Sequence, residues 1–218
     1  MSLRHQSVDA WPTRDRILYE ASHLIAARGF HGATTREIAE RVGIKQPSMF
    51  NHFSSKQAIL EELLVFDITI PAQRAVYLAS TSASAGVRLY RYALWDLHWY
   101  QEMPFDLRGL HEDLARLPGL ERFQHSLADW TVAIETILHR GLEAEEFRPD
   151  AVPFVPSVLE TLSWEFVRSS HKEAAAKGGR LVVADGAEFV LRGLLEDPDG
   201  LSLIRQQAAQ INSRDPLS

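Results

Sequence analysis

The sequence predicts an all-α protein, with a three-helix N-terminal head and a larger helical domain behind it. Three observations predict this. Apolar residues recur at spacings of three and four along most of the chain. Capping residues and Gly or Pro breakers punctuate that pattern at helical lengths. No stretch alternates apolar and polar residues with the period of a half-buried strand.

The elements follow in order. Residues 13–29 read as a helix with Ile17, Ala21, Leu24 and Ile25 on one face, Thr13 as its cap and Gly29 at its end. Thr34-Thr35-Arg36-Glu37 is a capping box, in which a Thr hydroxyl takes a free backbone N–H and Glu37 reaches back. It opens a short helix over 35–42, with Ile38, Ala39 and Val42 inward and Gly43 as the break. A third helix is expected over 46–52, with Pro47 tolerated in its first turn. Ser54-Ser55-Lys56-Gln57 is a second capping box, opening a long helix to about residue 79 that Pro71 should kink.

A small-residue connector leads to a helix over 84–102, apolar nearly all round and therefore central. After the break Met103-Pro104-Phe105-Asp106, a short helix over 107–116 ends at Pro118-Gly119. The helix expected over 120–142 carries Phe123, Leu127, Trp130, Ile134 and Ile137 on one face. Glu143, Glu145 and Glu146 read as a solvated turn. Helices over 154–172 and 184–196 follow, and residues 201–211 can add a short one.

Composition narrows the function. The 218 residues are 45% hydrophobic and 24% charged, enough apolar material for a real core. There is no cysteine, which excludes disulfides, thiolate zinc sites, iron–sulfur clusters, a cysteine nucleophile and a thiol redox sensor. The net charge of −6 alone argues against nucleic acid, since phosphate dominates that affinity. The average hides an asymmetry: residues 1–60 carry eight Lys/Arg against five Asp/Glu, and residues 61–218 carry fifteen against twenty-four. A basic head on an acidic body suggests two modules, 1–60 and 61–218, with different partners. The start lacks the apolar core of a signal peptide, and nowhere do about 18 apolar residues run together, so a cytoplasmic chain with no membrane partner is expected.

Two short helices joined at Gly43 make a helix-turn-helix, whose second helix can enter the major groove of DNA. The run Thr34-Thr35-Arg36-Glu37-Ile38-Ala39-Glu40-Arg41-Val42-Gly43-Ile44-Lys45-Gln46-Pro47-Ser48-Met49-Phe50-Asn51-His52-Phe53, with Lys56 beyond it, resembles the DNA-binding region of the tetracycline-repressor (TetR) family of bacterial transcription regulators. The resemblance covers about residues 13–61. It implies a helix-turn-helix DNA-binding domain followed by a ligand-binding, dimer-forming helical domain. The function implied is a ligand-responsive repressor, working as a homodimer on a pseudo-palindromic double-stranded operator. An activator of the same fold, or a ligand sensor acting through a protein partner, is the alternative.

Thr34 and Lys56 stand at helix starts, where phosphate clamping is the natural job. Lys45, Gln46, Ser48 and Asn51 are donors on the third helix; Gln pairs with adenine and Lys with guanine. His52 is placed near the DNA backbone, and Arg36 on either a phosphate or a base edge. Three positions depart from the family pattern. Lys45 replaces a frequent capping Ser, Phe50 a frequent Tyr, leaving an apolar contact only, and Pro47 offers no N–H.

In the acidic body, Trp95 and Trp99 share a helical face. With His98, Met103, Phe105, Phe123 and Trp130 they are the candidate lining of a pocket for a small hydrophobic or aromatic effector; a packed core is the alternative. Val155, Leu159, Leu162 and Phe166 form one apolar stripe, and Phe189, Leu191 and Leu194 another. They make either a four-helix dimer interface or internal core. His98, His111, His125 and His139 are thirteen or fourteen residues apart, so none pairs on a helical turn. No Gly-x-Ser-x-Gly or phosphate loop is present, and neither enzymatic activity, cofactor nor metal is expected.

Overall fold

Pro12 and Ala33 bracket the first long helix, α1 (Thr13–Gly32), in a computed structural model that describes residues 7–108, 110, 117–171 and 182–211. Thr13 is its first helical residue and not its cap, because Pro12 occupies the cap position with extended backbone. Gly29 interrupts the helix with φ 72°, a value only glycine adopts without strain, and one further turn follows. Ile17, Ala21, Leu24 and Ile25 are fully buried, as the spacing predicts.

Then come α2 (Thr35–Val42) and α3 (Gln46–Met49). Gly43, at φ 76°, ends α2 in the left-handed conformation the tight turn requires. The third helix is shorter than the predicted 46–52. Past Met49 the chain keeps curling, but Asn51 N and His52 N donate to Ser48 O and Met49 O, the tighter i→i−3 pattern.

The predicted helix to residue 79 is observed as α4 (Lys56–Leu64), one π-helical turn (Val65–Thr69) and α5 (Ile70–Ser80). Pro71 has no N–H for the carbonyl four residues back, and its ring crowds that carbonyl; the widened π turn lies directly before it. Next are α6 (Ala85–Glu102), α7 (Glu121–Glu143), α8 (Val155–His171), α9 (Val183–Leu194) and α10 (Leu201–Ile211). The short helix expected over 107–116 lies largely outside the described residues. Among the described residues there is no strand, only an isolated bridge between Phe147 and Leu195. Nor is any helix of these residues long and apolar enough to cross a membrane.

The chain forms two compact units. The first runs to Ile70 and takes in Glu102–His125; the second comprises Pro71–Gln101 and the chain from Ser126 onward. This differs from a single cut after residue 60. The excursion over 102–125 is fastened to the head: Asp106 N donates to Ser22 Oγ at 3.0 Å, Gln57 Nε2 to Pro118 O at 3.0 Å, and Arg122 Nη2 pairs with Glu61 Oε2 at 2.9 Å. The Phe66 and Phe105 rings lie 5.3 Å apart. No charge pattern along the chain announces such tertiary contacts.

The second unit centres on α6, buried along most of its length against α7, α8 and α9. Glu146 is not a solvated turn residue. Its carboxylate accepts from Ala85 N at 3.2 Å and Gly86 N at 2.8 Å, satisfying two orphan donors at the start of α6. Arg88 and Arg140 both donate to Ala79 O near the end of α5.

Candidate nucleic-acid interface

α2 and α3 supply the candidate surface. Thr34 caps α2, accepting from Glu37 N at 3.2 Å. The reciprocal half of the capping box is absent, because both oxygens of the Glu37 carboxylate instead accept from Arg28 Nη1, at 2.9 and 3.0 Å. That ion pair ties the end of α1 to α2. α3 begins at Lys45 with no side-chain cap, as expected from the lack of a Ser there. Met49 is the one α3 side chain fully buried in the head, leaving Lys45, Ser48, Phe50, Asn51 and His52 exposed.

The fate of each cation matters most, because phosphate affinity rests on free positive charge. Arg14 makes a forked pair with Glu62 and lies 4.6 Å over the Phe53 ring. Arg16 donates to Val42 O. Arg36, 80% exposed, pairs with Glu40 at 2.9 Å. Arg41 approaches Glu20 and Glu37 at 3.8 and 3.7 Å. Lys45 is the one described cation of the head with neither carboxylate, carbonyl nor ring against it.

Lys56 is engaged within the head. Its Nζ donates to Phe30 O at 2.6 Å and Ala33 O at 2.7 Å, and lies 4.3 Å over the Phe30 ring. The ammonium thus staples the start of α4 to the α1–α2 connection. Ser55, not Lys56, caps α4, accepting from Ala58 N at 3.0 Å.

Gln46 is only partly exposed. Its Nε2 donates to Thr35 Oγ1 at 2.8 Å, a bond between the first residues of α3 and α2 that spacing did not suggest.

The expected effector residues divide between the units. Met103, Phe105 and Phe123 are buried in the first, while Trp95, His98, Trp99 and Trp130 belong to the second. Trp95 and Trp99 stack at 5.3 Å, both partly exposed, and His98 is exposed. Arg74 lies 5.5 Å from the Trp95 ring and 5.8 Å from Tyr77. Trp130 Nε1 donates to Tyr92 Oη at 2.6 Å, Tyr92 donates to Asp96 Oδ1 at 3.1 Å, and Ser163 Oγ reaches Asp96 Oδ2. Burial and the neighbouring Asp96 charge push the Tyr92 phenol well above its ordinary range. This network was not read from the sequence; the four-residue spacing of Tyr92 and Asp96 is the signal available for it.

The two apolar stripes mostly turn inward. Val155, Leu159, Phe166, Leu191 and Leu194 are buried inside the chain, because these faces pack the second unit's own core. Phe189 points the other way at 65% exposure, and Phe154 just before α8 is 66% exposed. Leu127 also departs from its predicted inward stripe, at 42% exposure, while Phe123, Ile134 and Ile137 on the same helix are buried.

The described residues are helical, with a helix-turn-helix in the first unit. A family model described as "Bacterial regulatory proteins, tetR family" matches residues 17–63. The match covers the N-terminal domain, and over those residues the chain is similar to the TetR family. Over 57 residues it is 39% identical to the tetracycline repressor protein class C of Escherichia coli, covering 26% of each chain. The chain spans about a quarter of the length of such curated relatives. A longer match, 26% identical over 164 residues, covers 71% of this chain and 80% of the transcriptional repressor KstR2 of Mycobacterium tuberculosis. The crystal structure of Mycobacterium smegmatis AmtR shares the fold, with a TM-score of 0.70 at 24% identity, covering 95% of this chain and 98% of that one.

Proposed function

We propose that the chain is a DNA-binding transcriptional regulator, a ligand-responsive repressor that works as a homodimer on a pseudo-palindromic operator. The carrying observation is the exposed edge Ser48-Asn51-His52 beside Lys45, the one unpaired Lys or Arg among the head's described residues. Such an edge matches a major groove, with Lys45 on phosphate or guanine and the neutral donors on base edges. Two heads reach half-sites about one helical turn, roughly 34 Å, apart only if the protein is two-fold symmetric. For the second copy we assign the outward side of α8 and α9, where Phe154 and Phe189 are exposed. The repressor reading is supported by the relatives KstR2 and the tetracycline repressor.

A small-molecule effector is assigned to the second unit, near the stacked Trp95 and Trp99. It controls DNA binding only if it prefers one of two conformations of the dimer. A gel-shift with DNA from upstream of the protein's own gene tests the proposal. Salt-sensitive, sequence-specific retardation is expected, and binding indifferent to sequence contradicts it.

A further inference from the structure

We propose that Thr35 sets the base preference of Gln46: it holds the Gln46 carboxamide ready for adenine without touching DNA itself. This rests on the reading of α2 and α3 as a duplex-binding hairpin.

The geometry is specific. Gln46 Nε2 donates to Thr35 Oγ1 at 2.8 Å, across eleven residues of sequence. Thr35 is free for this task because its neighbour Thr34 supplies the helix cap. Nothing within α3 orients Gln46: the helix is four residues long and Lys45 makes no cap bond. A Gln side chain carries several freely rotating bonds, and an unrestrained one loses that freedom when it meets a base. Threonine is the stiffer partner, because its β-branch restricts χ1.

Bonding to Thr35 uses one of the two amide N–H groups. Gln46 keeps the other N–H and its carbonyl oxygen. One donor beside one acceptor complements adenine, which presents the N7 acceptor beside the N6 donor in the major groove. Guanine presents two acceptors there, so the Gln46 carbonyl would face O6 without a hydrogen between them. A carboxamide fixed in its plane discriminates between these edges. One free to rotate adapts to either, and the preference weakens.

The test is selection from a randomised duplex library by the full chain, run for the wild type, Gln46→Ala, Thr35→Val and Thr35→Ser. The wild type is expected to enrich adenine at one position of each half-site. Gln46→Ala removes that preference and so identifies the position. Thr35→Val should weaken the preference at the same position by roughly tenfold, leaving the other positions and the salt dependence unchanged. Thr35→Ser, which restores the hydroxyl, should recover it. Because preference is a ratio between duplexes, partial unfolding of a variant lowers affinity for all of them alike and leaves the preference unchanged. The proposal is overturned if Thr35→Val keeps the full preference, if it loses preference evenly everywhere, or if the Gln46 position does not select adenine. A wild type that enriches no sequence would sink the DNA-binding reading itself, an outcome distinct from the other three.

Discussion

The two units bury polar groups to different degrees. Of the buried polar or charged residues among those described, Ser22, Asp67 and Asp106 lie in the unit with the head, while Arg74, Arg88, Arg91, Asp96, Gln101, Ser163 and Glu188 lie in the other. The head keeps its charges at the surface, where most arginines are neutralised locally and one lysine is left free. The second unit draws tyrosine, aspartate, serine and tryptophan into a shared interior network. Surface charge pairs cost little to rearrange and suit a surface that must meet another charged molecule. A buried network is costly to leave half satisfied, so it fixes a particular packing.

The largest effect we expect sharpens the contrast along a single helix. Phe123, 1% exposed, should cost about 3–5 kcal/mol on conversion to Ala, whereas Leu127→Ala, 42% exposed, should stay within about 0.5 kcal/mol. Denaturant midpoints of the two variants check this. Next comes the interior network. Tyr92→Phe removes the hydroxyl between Trp130 Nε1 and Asp96 Oδ1 and should lower stability by about 2 kcal/mol.

Two lysines separate structure from recognition. Lys56→Met deletes a charged donor from two carbonyls and should lower the stability of the head by about 2 kcal/mol, seen in chemical denaturation. Lys45→Ala should leave the melt within about 0.5 kcal/mol of wild type, yet reduce the slope of log affinity against log salt by about 1 per contact. If the two exchanged behaviour, Lys56 would be the phosphate clamp after all.

The smallest effect is a pH dependence. The Arg14 hydrogen bond holds the Glu62 carboxyl below its ordinary 4.5. A depressed native pKa contributes stability that is present above the unfolded value and lost as pH falls through the native one. Arg14→Gln should therefore separate from wild type at neutral pH and approach it as pH falls from about 4.5 through the lower native value, in thermal melts.

The head was legible because its signals are local. Thr34 caps, Gly43 turns, and Ile38, Ala39 and Val42 face inward, all within a span the eye can read. What escaped there was pairing across elements. Glu37 turned to Arg28, Lys56 to two carbonyls, and Gln46 to Thr35. Such choices depend on which backbones the fold brings close. The body was legible as helices but not as a site. An aromatic residue at helical spacing looks alike whether it packs a core, as Phe105 and Phe123 do, or lies half exposed, as Trp95 and Trp99 do. The same ambiguity governs the stripes of α8 and α9, where most of the apolar residues proved internal and Phe189 alone of its stripe faces out.

The central claim is that residues 45–52 read DNA. The direct measurement is fluorescence anisotropy of the full-length protein on its selected duplex and on a scrambled one, for wild type and for Lys45→Ala/Ser48→Ala/Asn51→Ala. We predict a preference of about a thousandfold or more for the selected duplex in the wild type, falling to about tenfold in the triple variant, which keeps Gln46, while its melt is preserved. Equal affinity of the wild type for both duplexes, or an undiminished preference in the triple variant, would contradict the account.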